Sequence, residues 1–506
     1  MTYTPPLASS FNDTKNRSTR LSPQSGMCSF CAADCVGTCE IGLSAVLGAQ
    51  TVYPTNTGEN QVASEKDYPV DYSHFNINGR VFGALGAEAH PDKASIFHVN
   101  LESSLGLLNP VKTALPLFLP ALIKLNWPDY FAGAAMAGVC CVIGEGSQSK
   151  DPALEMSNGK ISKFAHLDTI LASFRKYYRG YGQIILQCNC EDDVQGLPEY
   201  ALQKAGVEAL EFKFGQSAKG TQPVIRLPDY ETALKKQAAG ALVYPDPSSE
   251  AMREAHKQGT CPNFYVYSRL PQWDEEYLGR RIAKLREMGL KNLYFKMAGY
   301  DPADLERVLR LASSLQADAV TLDGAGGGSG YSPCKMMNEW SLPTVCLEEA
   351  VCKIAGRMRK QGLYVPSLVL TGGFATEDQV FKALAYGAPS ITHVGLCRAA
   401  MAAANSAKRV GELVKAGQVP AHLKKYGGSV SELFADLPEL RHLYGKEADD
   451  FPTGAIGVFS YLNRIAMGLR HFAGLNRKFD LSYLDRSDLI PLTADARALL
   501  RDEWSA

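Results

Sequence analysis

The sequence predicts an α/β protein: a (β/α)8 barrel with a cysteine-rich segment ahead of it, an insertion after strand four and a helical extension behind it. Three observations lead there. Eight short apolar runs fall between residues 113 and 395, seven of them followed by helix-like text or a long insertion, and the last three end in glycine-rich segments.

Residues 1–25, rich in Ser and Thr and lacking an apolar core, read as a flexible arm rather than a secretory signal. Residues 26–110 form a cysteine-cluster region. Thirteen cysteines in a chain without a secretory signal argue for reduced thiols in the cytoplasm. Nine are scattered as small buried hydrophobes. The other four, Cys28, Cys31, Cys35 and Cys39, stand in GMCSFCAADCVGTCEIG at C-x2-C-x3-C-x3-C spacing. Such short gaps let one segment wrap a cubane, so an iron–sulfur cluster of the [4Fe–4S] type is expected. Structural zinc is the alternative, although its ligands usually come as two knuckles separated by a dozen or more residues. Spacing alone does not fix the cluster type.

The barrel is expected over 111–406. Its strands are TALPLFL (113–119), VCCVIG (139–144), QIILQC (183–188), ALEFKF (209–214), NLYFKM (292–297), AVTLDG (319–324), SLVLTG (367–372) and SITHVG (390–395). Short, nearly continuous apolar strands alternating with helices point to a parallel sheet covered on both faces. DPADLERVLRLASSL shows the helical punctuation, with Asp301 and Pro302 as N-cap and first-turn residues. The long 215–291 step between strands four and five predicts an inserted lobe, and 407–506 reads as a helical extension.

Glycines gather where a barrel holds its ligands. Strand six runs into LDGAGGGSGYSP, strand seven into LTGGFATEDQV and strand eight into HVGLCRAAM. Gly372 and Gly373, followed by a helix, would let backbone N–H groups approach a phosphate. GAGGGSG departs from the dinucleotide fingerprint G-x-G-x-x-G, because Ser329 occupies the third glycine position, and no P-loop occurs. Each glycine has turn formation as its ordinary use. Lys213 and Lys296 lie inside apolar strands. A lysine there either snorkels to the rim or holds an electron-rich edge, such as that of a flavin.

With 52 Lys+Arg against 53 Asp+Glu and a net charge of −1, the chain lacks the basic footprint of nucleic-acid or anionic-membrane binding. Its most apolar stretch, TALPLFLPALI, is too short to span a bilayer and carries Pro116 and Pro120.

Together these blocks resemble the FMN-binding central region of glutamate synthase over about residues 110–405. VIGEGSQS (142–149) is similar to the family's NTGEGG, EFKFGQSAKGTQP (211–223) to IKIAQGAKPGEGG, and FKMAG to VKLVS. DGAGGGSGYSP is similar to SGHDGGTGASP, and TGGFATEDQVFKALAYGA to the DGG loop and its following helix. The resemblance implies FMN near Gly144, Gly146, Lys213, Gln216, Lys219, Lys296, Ser329, Gly372, Gly373 and Gly395. It also implies coupling to an iron–sulfur centre. The amidotransferase and NADPH modules are expected to be missing, since Thr2 follows Met1 and no dinucleotide motif appears. KGTQP and YSRLPQWDEEY replace the blocks that hold 2-oxoglutarate in the family.

The function expected is an FMN- and iron–sulfur-dependent oxidoreductase. Electrons would pass from a ferredoxin-type donor through the cluster to FMN, and then to a small imine or 2-oxo-acid-derived substrate. Lys219, Arg226 and Arg269 are candidates to hold a substrate carboxylate. Lys296, Glu145 and Glu349 are candidates for catalytic roles, with His393 behind them. Two other classes stay open: a flavin-dependent isomerase without net redox, and an electron-relay subunit of a larger complex. Substrate identity and oligomeric state, including a homo-oligomer, are not set by the sequence.

Overall fold

The structure is a computed structural model that describes residues 45, 68–122, 127–217, 224–267, 269–270, 273–325 and 336–500. Eight parallel strands close into a barrel: β1 (Leu117–Leu122), β2 (Cys140–Ile143), β3 (Ile184–Cys188), β4 (Ala209–Lys213), β5 (Asn292–Ala298), β6 (Ala319–Asp323), β7 (Ser367–Thr371) and β8 (Ile391–Gly395), with β8 returning to β1. Nearly every strand residue is buried, as expected of a parallel sheet wrapped by helices. The wrapping helices are α1 (Trp127–Ala137), α2 (Ala165–Arg175), α3 (Leu197–Gln203), α4 (Glu275–Glu287), α5 (Pro302–Ser314), α6 (Thr344–Lys360), α7 (Glu377–Gly387) and α8 (Arg398–Lys415).

All eight expected strands are present, and one is displaced. The run at 113–119 straddles two elements, because Val111–Thr113 pairs antiparallel with Ser103–Leu105 in a hairpin and β1 begins only at Leu117. Leu105 of that hairpin packs with Phe118, Val142, Ile185, Tyr294 and Val369, so the hairpin closes the lower end of the barrel. The insertion after β4 is a small lobe: strands Val224–Leu227, Phe264–Tyr267 and Leu242–Tyr244 form an antiparallel sheet in that spatial order, with helices Tyr230–Ala238 and Glu250–Lys257. The last part of the 215–291 step is α4, the barrel's own fourth helix.

In the C-terminal extension, α9 (Thr453–Leu475) crosses α8 and α1 through small residues. A Cβ on Gly133 would stand 2.7 Å from the Ala455 carbonyl oxygen and 2.5 Å from the Val458 side chain, so only glycine admits this crossing. Beyond α9, Leu489–Pro491 pairs with Phe75–Ile77, which precedes the barrel. Among the described residues no helix is long and apolar enough to cross a membrane.

Candidate active site

Strand alternation decides which side chains face the barrel interior. On β4 these are Ala209, Glu211 and Lys213, and on β5 Tyr294 and Lys296, with Lys296 in register beside Lys213 and Thr321. The lower layer is apolar. Above it lies a polar layer in which Glu211, fully buried, accepts hydrogen bonds from Gln187 Nε2 at 2.5 Å and from Thr321 Oγ1 at 2.9 Å. Burial raises the Glu211 carboxyl above its ordinary range, and the Lys296 ammonium partly offsets this.

At the C-terminal ends of the strands the polar layer opens into the mouth. Lys213, 3% exposed, donates to Glu145 in a close ion pair and to Gln216 Oε1 at 2.9 Å. Lys296 is equally buried. Burial alone would lower it, but Asp323 and Glu211 outweigh that and hold it above the ordinary lysine range, so it stays a cation. Asp323 in turn accepts from Thr371 Oγ1 at 2.7 Å and from the Ser217 N–H at 3.0 Å.

Glu145 and Gly146 sit on the loop after β2, which Asp192 bolts to the loop after β3. Its carboxylate accepts from Gly146 N–H at 3.1 Å, Gln148 Nε2 at 2.6 Å and Asn189 N–H at 3.0 Å. Burial pushes Asp192 up to about 7, against the pull of these donors. The hydroxyls of Ser147 and Ser217 are fully buried at this end and have no partner among the described residues.

Opposite the lysines lies the glycine cradle. Gly372 and Gly373 have φ of +129° and +87°, a region that disfavours side chains. A Cβ on Gly372 would stand 2.5 Å from Thr344 Oγ1 and 2.8 Å from the Gly324 carbonyl oxygen. On Gly395 it would collide with the Thr371 methyl. Next to the cradle, α8 starts without a side-chain cap. A glycine loop after β7 and a helix N-terminus after β8 form the place where barrels commonly bind phosphate.

The barrel thus brings together Glu145, Lys213, Gln216, Lys296, Gly372, Gly373 and Gly395, with Gly144 and Gly146 on the same rim. Glu349 is elsewhere. It lies on the outer side of α6, where its carboxylate accepts from Tyr386 OH at 2.8 Å and pairs with Arg486 at 2.7 Å and Lys353 at 2.9 Å. His393 faces the barrel floor, with Nε2 2.9 Å from Thr113 Oγ1, and burial lowers its pKa to about 3. Arg269 engages the Gly240 carbonyl at 2.7 Å and Glu191 at 3.6 Å, bracing the inserted lobe. Arg226 is on the lobe's edge strand. Lys219, Ser329 and Cys28, Cys31, Cys35 and Cys39 lie outside the described residues. Among the described residues, no cluster of three or more His, Cys, Asp or Glu could hold a metal.

The sequence reading passed over Glu211, Asp323 and Asp192. The first two were within reach of it: Glu211 shares its strand face with Lys213 two residues on, and Asp323 ends an otherwise apolar strand. Asp192 carried no such signal, because two of its partners, the Gly146 N–H and Gln148 Nε2, come from a distant loop.

Comparison with known proteins bears on the same region. The family model described as the conserved region in glutamate synthase matches residues 266–409. Archaeal glutamate synthase [NADPH] of Methanocaldococcus jannaschii is 30% identical over 201 residues, which is 39% of this chain and 34% of that protein. Archaeal-type glutamate synthase [NADPH] of Dehalococcoides mccartyi is 36% identical over 76 residues, 15% of each. The chain therefore matches about a third or less of the length of these curated relatives. Among solved structures, a flavocytochrome b2 variant with sulfite bound superposes with a TM-score of 0.49 at 11% identity, covering 90% of this chain and 87% of that one. For (S)-mandelate dehydrogenase the TM-score is 0.42 at 14% identity, with 83% and 89% covered. The matched residues 266–409 span β5 to β8 and the helices around them, so this half of the barrel is similar to the conserved region in glutamate synthase.

Proposed function

We propose that the chain is an FMN-dependent oxidoreductase. One observation carries this reading: two buried lysines on β4 and β5 face a glycine cradle at β7 and β8 across a single barrel mouth. The donor set fits a flavin mononucleotide, an anionic phosphate joined to a ring that gains negative charge on reduction. Bound there, the flavin supplies hydride and single-electron transfer. Gly372, Gly373 and Gly395 leave room for a phosphate, and the start of α8 favours its charge. Lys296 and Lys213, with Gln216, offer cationic and polar contacts to the ring. The buried hydroxyls of Ser147 and Ser217 provide two more hydrogen-bonding groups on the same rim. Lys219 and Ser329 join this set through their place in the matching motifs.

In this reading Cys28, Cys31, Cys35 and Cys39 would hold an iron–sulfur cluster, which would supply the electron entry from a ferredoxin-type donor. The substrate is a small imine or 2-oxo-acid-derived compound whose carboxylate meets Lys219 or Arg226. Glu145, held against Lys213, is positioned to move a proton at the mouth. Anaerobic purification with flavin, iron and sulfide analysis tests both halves separately. The reading expects one FMN and an iron–sulfur complement per chain. A flavin without iron removes the cluster, and a protein that takes up no FMN removes the whole proposal.

A further inference from the structure

A second hollow, of about 210 Å3, lies outside the barrel wall between α4 and α5, at the same end as the mouth. Its walls are aromatic: Phe214 and Trp273 stand edge to face with ring centres 5.8 Å apart, and Tyr300 faces in from the loop after β5. Below them Met297, Leu278 and Val308 make an apolar floor. The rim is acidic, with Asp274 and Glu275 at the start of α4, Asp304 in the first turn of α5, and Arg307 among them.

The charges on this rim are not equivalent. Arg307 grips Glu275 with two guanidinium nitrogens, one of them 2.7 Å from Oε2, and these bonds hold the Glu275 carboxyl down at about 2. That cation is therefore engaged, and Asp274 and Asp304 remain as net negative charge. Asp274 caps α4 through the Tyr277 N–H at 2.6 Å, and Asp304 suits the start of α5, which explains why acids stand on these helices. It does not explain the hollow beneath them. Apolar side chains around empty space forfeit dispersion contacts that closer packing of α4 on α5 would recover.

We infer that this hollow is a binding site for a small organic ammonium, with its apolar group among the rings and its cationic head at Asp274 and Asp304. Its volume is below the roughly 300–1,000 Å3 of pockets for drug-sized ligands, which sets the size of the occupant. Three rim carboxylates against the single Arg307 guanidinium leave a net negative rim that favours a cation, and the aromatic walls favour an organic one. An anion would meet those carboxylates, with its one counter-charge already paired. The site needs no flavin. It does touch the mouth's support, because the Tyr300 hydroxyl donates to the Gln216 carbonyl at 3.1 Å and Gln216 accepts from Lys213.

Titration of the full chain with hexylammonium, 1-hexanol and hexanoate, followed by tryptophan fluorescence and calorimetry, tests the assignment. The expected result is saturable binding of hexylammonium, at least tenfold weaker binding of hexanol, and no binding of hexanoate. Asp304→Asn should weaken hexylammonium at least fivefold, and Trp273→Phe should abolish the fluorescence response. Equal affinity for hexanol and hexylammonium would reduce the hollow to an apolar cleft. Preference for hexanoate would assign it to Arg307 and an anion, and non-saturable titration would show no site; each of these overturns the inference. The three-ligand comparison needs no variant to fold.

Discussion

At the residue scale, the mouth is an exercise in keeping buried charge compensated. Lys296 stays cationic because Asp323 and Glu211 face it, and Glu211 is tolerated because Gln187 and Thr321 satisfy both its oxygens. Strand parity made this half legible in the sequence: two lysines in apolar strands required anionic company, and Glu211 stood on the same face. Parity carries no information about helices beyond the barrel wall, and there the reading failed at Glu349. Its carboxylate is consumed by Tyr386, Lys353 and Arg486. Glu349→Gln should therefore lower stability by about 3 kcal/mol, as expected when one partner of a buried pair is removed, and leave FMN affinity unchanged within about twofold. Urea unfolding and flavin titration of the same preparation check the two halves.

His393 gives a pH prediction whose sign is fixed by burial. Its folded pKa, about 3, lies below the unfolded value of 6.5, so protonation favours the unfolded chain. Its contribution is complete above pH 6.5 and is lost as pH falls toward 3, at about 1.4 kcal/mol per pH unit. His393→Gln should flatten that part of the stability–pH curve relative to wild type, as read by chemical denaturation at each pH.

Elements were more legible than their boundaries. Eight apolar runs were enough to place eight strands, because a strand buried on both faces is apolar at most of its positions. The first run still misplaced its strand by four residues, since Ala114, Leu115 and Pro116, which link the hairpin to the strand, continue the apolar run. The expected insertion absorbed α4 for the opposite reason: EEYLGRRIAKLRE is a polar helix with a narrow buried stripe, reading like surface text. The β7 loop carries the prediction at this scale. Gly372→Ala meets both a positive φ and a hard contact with Thr344 and Gly324. It should cost about 1–3 kcal/mol of strain and weaken FMN at least tenfold, measured by thermal melting and flavin titration. Gly146→Ala, with open space around its Cβ, should affect stability through φ alone and far less.

For the molecule as a whole, segments near the two ends of the described residues close over one flank of the barrel. Phe75–Ile77 pairs with Leu489–Pro491, Tyr72 donates to the buried Glu348 on α6 at 2.5 Å, and Arg486 reaches the Tyr386 carbonyl and Glu349. No sequence period announces such a clasp, because its contacts join residues 100 or more positions apart. Arg486→Ala should loosen it and destabilise the whole barrel by about 3 kcal/mol, in a single cooperative transition rather than by local fraying, as scanning calorimetry would record.

The central claim, that this barrel mouth is built to hold FMN on Lys296 opposite the glycine cradle, is tested most directly by titrating flavin-stripped protein with FMN. Wild type and Lys296→Met are compared, with thermal melting of both as the control for folding. The account predicts saturation at one FMN per chain and at least tenfold weaker binding by a folded Lys296→Met variant. No saturable uptake by the wild type, or equal affinity in the folded variant, would contradict it.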